Sequence, residues 1–120
     1  MPSILLVEDD PLMLTVLTMC LRRAGHLVLQ ASTFEQARKL LVKEPIDLLV
    51  SDLTLPDADG DGLAALCKVP AIAMSGLPDM EARQRSLRAG FARHLAKPFE
   101  LELLTTAITQ LTLGKSTASR

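Results

Sequence analysis

The sequence predicts an α/β fold: a single doubly wound, five-stranded parallel sheet in the order 2-1-3-4-5, with helices on both faces. Three observations carry that expectation. Short apolar runs alternate five times with longer helix-like patterns along 120 residues, which suits βαβ units better than hairpins. Two of those runs, residues 4–7 and 47–51, have the length and aliphatic content of strands buried on both faces. Both runs end in acids, Glu8-Asp9-Asp10 after the first and Asp52 after the other. Parallel strands bring those acids to one edge of the sheet. In an open sheet of this order the first and third strands are neighbours where strand order reverses, the place where such folds bind ligands.

Strands are expected at 3–7, 27–31, 47–51, 71–74 and 93–96. The first helix spans 11–24, with Pro11 suited to a first turn and Gly25 supplying a left-handed stop. Ser32 and Glu35 read as a capping box that opens a second helix, which ends before Pro45. A short third helix is available at 63–68, since Asp59-Gly60-Asp61-Gly62 blurs its start and Pro70 closes it. Asp79 opens a fourth helix that reaches Ala89-Gly90, and Glu100 opens a fifth that ends near Leu113-Gly114. Residues 1–114 then form one domain and 115–120 a polar frayed tail.

Composition narrows the function classes. Thirteen basic and fourteen acidic residues give a net charge of −1, so no overall field favours nucleic acid or an anionic membrane. With three Phe and no Tyr or Trp, the core rests on aliphatic side chains. Cys20 and Cys67 lack metal-ligand spacing and read as buried reduced thiols in apolar helical stretches. No run is long enough for a membrane span or a signal-peptide core, so a cytoplasmic protein is expected.

The chemistry-bearing residues fall at successive strand ends. Like charges held close raise one another's pKa, so a cluster of carboxylates favours a cation, and an oxygen-rich site suits Mg²⁺. Ser75 follows the fourth strand beside Gly76, and Lys97 follows the fifth before Pro98. A hydroxyl and an ammonium at that edge can hold phosphoryl oxygens while Asp52 acts as nucleophile. Asp10, beside Pro11, reads as a helix cap rather than a ligand. A phosphatase of the haloacid-dehalogenase kind would want a second acid two residues beyond Asp52, where Thr54 stands.

Residues 3–112 resemble the response-regulator receiver domain of two-component signalling, through Ile4 to Pro11, Asp47 to Pro56, Asp59-Gly60, Met74-Ser75-Gly76, Ala89-Gly90-Phe91 and Lys97-Pro98-Phe99. The resemblance implies a flavodoxin-like fold with Asp52 as phospho-acceptor. Asp9 and Asp52 would bind Mg²⁺ directly, Glu8 through water and Thr54 through its backbone carbonyl. Ser75 and Lys97 would complete the site, with a cis bond between Lys97 and Pro98. The expected chemistry is self-catalysed transfer and slow autodephosphorylation, not turnover as an enzyme, with a histidine kinase or histidine phosphotransfer protein as donor and a downstream protein as output partner. The phrasing around Ser75 and His94 is closer to receivers of hybrid histidine kinases. No output domain follows the fifth helix, so the chain is expected to act by binding partners or to be a receiver cut from a larger regulator.

Further expectations attach to single residues. His94 stands where many receivers keep a switching Tyr or Phe, which makes a phosphorylation-independent interaction module the rival reading. On the first helix Met13, Leu14, Val16, Leu17, Cys20, Leu21 and Ala24 form an inward arc and Thr15, Thr18, Arg22 and Arg23 face away. Leu12 and Met19 fall outside that arc and are candidates for docking the phosphodonor. Apolar Leu77 would shield an acyl phosphate from water, and His26 reads as a plain strand-edge residue. Arg83, Arg85, Arg88 and Arg93 read as a solvated basic face.

Overall fold

The computed structural model describes residues 2–76 and 79–118, and the side chains of Asp79 and of residues from 113 onward lie outside the description. Five strands, β1 (Ser3–Val7), β2 (Leu27–Ala31), β3 (Leu48–Asp52), β4 (Ala71–Ser75) and β5 (Arg93–Ala96), form one sheet in the order β2-β1-β3-β4-β5. Every pairing is parallel, with Leu6 beside Val50, Asp52 beside Met74 and Ser75 beside Ala96. Asp52 and Ser75 are thus the last residues of their strands, one position inside the expected loops.

Alternation along buried strands divides the core in two. Ile4, Leu6, Leu48, Val50, Ile72 and Met74 face α1 (Pro11–Arg23) and α5 (Leu101–Ala118), meeting Leu17, Leu21, Leu104 and Ile108. Leu5, Val7, Leu49, Ala71 and Ala73 face α2 (Phe34–Lys43), α3 (Asp61–Leu66) and α4 (Asp79–Ala89), meeting Ala37, Leu63 and Ala82. With both faces covered, the strand ends are left for polar groups. Among the described residues no helix is long and apolar enough to cross a membrane.

Several helix details differ from the sequence expectation. The arc of α1 is turned: Thr18 is buried, where its hydroxyl accepts from Gln30 Nε2 at 2.9 Å, while Val16 is exposed. Gln30 of β2 satisfies the threonine hydroxyl from another element, so the pattern of apolar letters alone misplaces the face. The cap of α2 is Thr33, whose Oγ1 accepts from the Gln36 amide at 3.1 Å; Gln36 Oε1 in turn accepts from the Ser32 amide at 2.8 Å. Thr33 is extended (φ −136°, ψ 161°), so the cap sits one residue later than Ser32 and Glu35 suggested. Helix α3 starts at Asp61, before Gly62, and stops where Cys67 turns extended. Helix α5 continues past Gly114 into the segment read as a tail.

A second cap on α2 comes from outside the helix. Asp57, in the loop after β3, accepts from the Phe34 amide at 2.8 Å and the Glu35 amide at 3.1 Å. These are orphan donors of the first turn, and the helix dipole favours the carboxylate there. The Phe34 amide, then Glu35's, holds the Asp57 carboxyl below its usual range. An acid depressed on folding stabilises the protein above its unfolded pKa and loses that contribution as pH falls through the folded value. Asp57→Ala is therefore less heat-stable than wild type at neutral pH, and the difference closes on acidification; melting curves across pH check both.

Candidate functional site: an acidic cluster bridged by a lysine

Glu8, at the end of β1, has only 1% of its surface exposed, and Asp52, at the end of β3, is also buried. Two buried carboxylates on adjacent strands repel unless a cation joins them. Lys97 does so: its Nζ donates to Glu8 Oε1 at 2.6 Å and to Asp52 Oδ2 at 2.7 Å. The lysine follows β5, two strands away from β3, and its own amide donates to the Ser75 carbonyl at 2.7 Å. The Lys97-Pro98 peptide is cis.

The electrostatics follow from burial. Burial raises the Glu8 carboxyl against the opposing hydrogen bonds from Lys97 and the Asp10 amide. At Lys97 burial pulls the ammonium down, but the bonds to Asp52 and Glu8 outweigh it and the pKa rises. The lysine therefore stays charged as the clamp between both acids.

Asp9 is exposed beside this pair, and oxygens of Glu8, Asp9 and Asp52 come within 4.8 Å of one another. Three carboxylates against one ammonium leave an excess of negative charge that a divalent cation balances. The donors are all hard oxygens, so the cluster is positioned to chelate a metal ion. Asp10 is apart from it, as expected: its Oδ1 accepts from the Leu12 amide at 3.1 Å as the N-cap of α1.

Ser75 is buried at the end of β4, and Thr54 lies exposed two residues beyond Asp52, its amide donating to Asp52 Oδ1 at 3.2 Å. His94 is half-buried on β5 beside Ala73 of β4. Leu12 and Met19 are exposed on α1 as expected, at 73% and 60%. His26 is half-buried, and burial lowers its pKa. Leu77 lies outside the described residues.

Two residues near the acids had no role in the sequence reading. Gly60 packs so tightly that a Cβ there would stand 2.1 Å from the Asp52 carbonyl oxygen. Arg85, expected on a solvated face, is instead held against the loop after β3: it grips Asp61 through Nε and Nη2, the shortest contact being 2.7 Å. The Asp59-Gly60 pair was a visible signal for the first, while nothing local marks Arg85 among its arginine neighbours.

A model of the response regulator receiver domain matches residues 4–109. A 14.6 kDa protein of Leptolyngbya boryana is 38% identical over 110 residues, 85% of this chain and 84% of its own. The response regulator FleR of Pseudomonas aeruginosa is 30% identical over 118 residues, 94% of this chain but 25% of FleR, so this chain corresponds to a part of that relative. Among solved structures, the receiver domain of the sensor histidine kinase PA1611 of P. aeruginosa superposes with a TM-score of 0.83 at 30% identity, covering 92% of this chain and 96% of that one; it holds magnesium in its active-site cleft. The chain belongs to the response regulator receiver domain family, the phospho-accepting domains of two-component phosphorelays.

The packing at Gly60 yields a direct test of how tightly the acid is seated. Gly60→Ala must push backbone against backbone, so it should cost about 1–3 kcal/mol in chemical denaturation and disturb the Asp52 strand end.

Proposed function

We propose that Asp52 is the phospho-acceptor, taking a phosphoryl group from a histidine kinase or histidine phosphotransfer protein. The observation that carries this reading is the Lys97 ammonium bridging Asp52 and Glu8, with Asp9 completing the acid cluster. In the step, the P–N bond of a phosphohistidine breaks as a carboxylate oxygen of Asp52 bonds to phosphorus, and the imidazole leaves. Asp9 and Asp52 would hold Mg²⁺ directly, Glu8 through water, and Thr54 by its carbonyl. Bound there, Mg²⁺ neutralises charge on the transferring group. Lys97 and the Ser75 hydroxyl would take the phosphoryl oxygens, so the chemistry is transfer onto the chain itself, not turnover of a separate substrate.

The added charge would draw Lys97 and Ser75 toward Asp52 and shift the loops after β4 and β5, biasing a surface read by a downstream protein. His94 on β5 would occupy the place of an aromatic switch in that change. Incubation with acetyl phosphate and Mg²⁺ is expected to add the mass of one phosphoryl group to the intact chain, and none to Asp52→Asn. No adduct together with no Mg²⁺ binding would favour the phosphorylation-independent module instead.

Exposed Leu12 and Met19 supply an apolar strip on α1 for the donor. Replacing both with polar residues should slow transfer from a phosphotransfer protein severalfold while leaving transfer from acetyl phosphate unchanged. Equal slowing from both donors would remove these residues from docking.

A further inference from the structure

The Leu53-Thr54 peptide group has a contact at each end that bears on Asp52. Its N–H donates to Asp52 Oδ1 at 3.2 Å. Its carbonyl oxygen accepts from the Gly60 amide at 2.8 Å and from Arg85 Nη2 at 3.0 Å. The preceding amide, that of Leu53, donates to the Met74 carbonyl at 2.9 Å, which pins this turn of chain to β4. Rotation of the peptide plane would break the Arg85 bond and the Asp52 bond together.

Arg85 is itself held in place. Its Nε donates to Asp61 Oδ1 at 3.1 Å and Oδ2 at 2.9 Å, and Nη2 donates to Oδ1 at 2.7 Å. Asp59 Oδ1 adds a charge contact at 3.4 Å. A planar guanidinium gripped this way has its remaining Nη2 hydrogen aimed in a fixed direction, toward the Leu53 carbonyl. The side chain is 28% exposed, so water competes with these bonds less than at the open surface.

We propose that Arg85 is a positioning residue for phosphoryl acceptance: clamped by Asp61, it orients the Leu53-Thr54 peptide, whose amide holds the Asp52 carboxylate. This rests on Asp52 as the acceptor. It sets Arg85 apart from Arg88, an exposed residue of the same helix and charge. A lysine at 85 could reach the carbonyl but could not grip Asp61 as a fork.

The test uses the full chain at a temperature where circular dichroism shows every variant folded. Arg85→Met, Arg85→Lys, Asp61→Asn and Arg88→Met are compared with wild type for maximal rate and half-saturation with acetyl phosphate, read by intact mass. The Thr54 amide is followed in parallel by NMR in the unphosphorylated protein. Arg85→Met is expected to lower the maximal rate on the order of tenfold with half-saturation unchanged, and to move the Thr54 amide resonance and speed its hydrogen exchange. Arg85→Lys recovers part of the rate, Asp61→Asn loses part of it, and Arg88→Met behaves as wild type. A wild-type maximal rate in Arg85→Met, or a slower one with the Thr54 amide unmoved, overturns the proposal; should Arg85→Met not fold, the same two readouts on Asp61→Asn decide it. If wild type takes up no phosphoryl group, the acceptor reading fails instead, and the Thr54 amide response alone decides whether Arg85 orients the peptide.

Discussion

The bridge from Lys97 to Glu8 and Asp52 is the interaction on which this site depends. Its partners lie 89 and 45 positions away in sequence, so it exists only when β1, β3 and β5 are in one sheet. Glu8 and Asp52 are buried because the strands that carry them are covered on both faces. Such carboxylates are tolerated only with a counter-charge at hydrogen-bond distance. A cation does this in part through Lys97, and the residual acidity is what suits the cluster to a divalent ion.

The sheet produces that meeting without any contribution from the acids themselves. Leu5 and Val7 go to one core, Ile4 and Leu6 to the other, and no position from Ile4 to Val7 is free to face water. The first polar residue after such a run must emerge at the strand end, and the parallel register puts all these ends on one side. Ser51 shows the constraint from within: buried next to Asp52, its hydroxyl turns back to the Asp52 carbonyl at 2.9 Å.

What could be read from the sequence follows the same division. Short apolar runs alternating with helix-like patterns located all five strands to within a residue, and for β1, β3 and β4 burial on both faces leaves a continuous aliphatic signature. The acids, Ser75 and Lys97 were legible for the same reason, being the polar residues at which those runs stop. Features set by a distant partner were not. Asp57 looks like a loop acid until the Phe34 and Glu35 amides, 23 and 22 positions away, are seen against it. Arg85 looks like its neighbours Arg83 and Arg88 until α4 is placed over the turn after β3. Thr18 defeats the apolar count on α1 because Gln30 satisfies its hydroxyl.

The loop after β3 is tied on both sides, and the two ties differ in stiffness. On one side Asp57 accepts two amides of α2 at a fully exposed site, where water competes for each bond and salt screens the charge. On the other, Arg85 of α4 makes a two-point grip on Asp61 and a third bond to Leu53, at a half-buried site. The Leu53-Thr54 peptide lies next to the carboxylate that would change charge, so any movement of Asp52 reaches that peptide before it reaches either helix. A planar fork transmits such a displacement through bond angles as well as distances, whereas a solvated carboxylate can exchange one amide for water and stay where it is. A displacement of the Leu53-Thr54 peptide on phosphoryl transfer, as proposed above, would therefore bear on Arg85 of α4 more directly than on the Asp57 contact with α2.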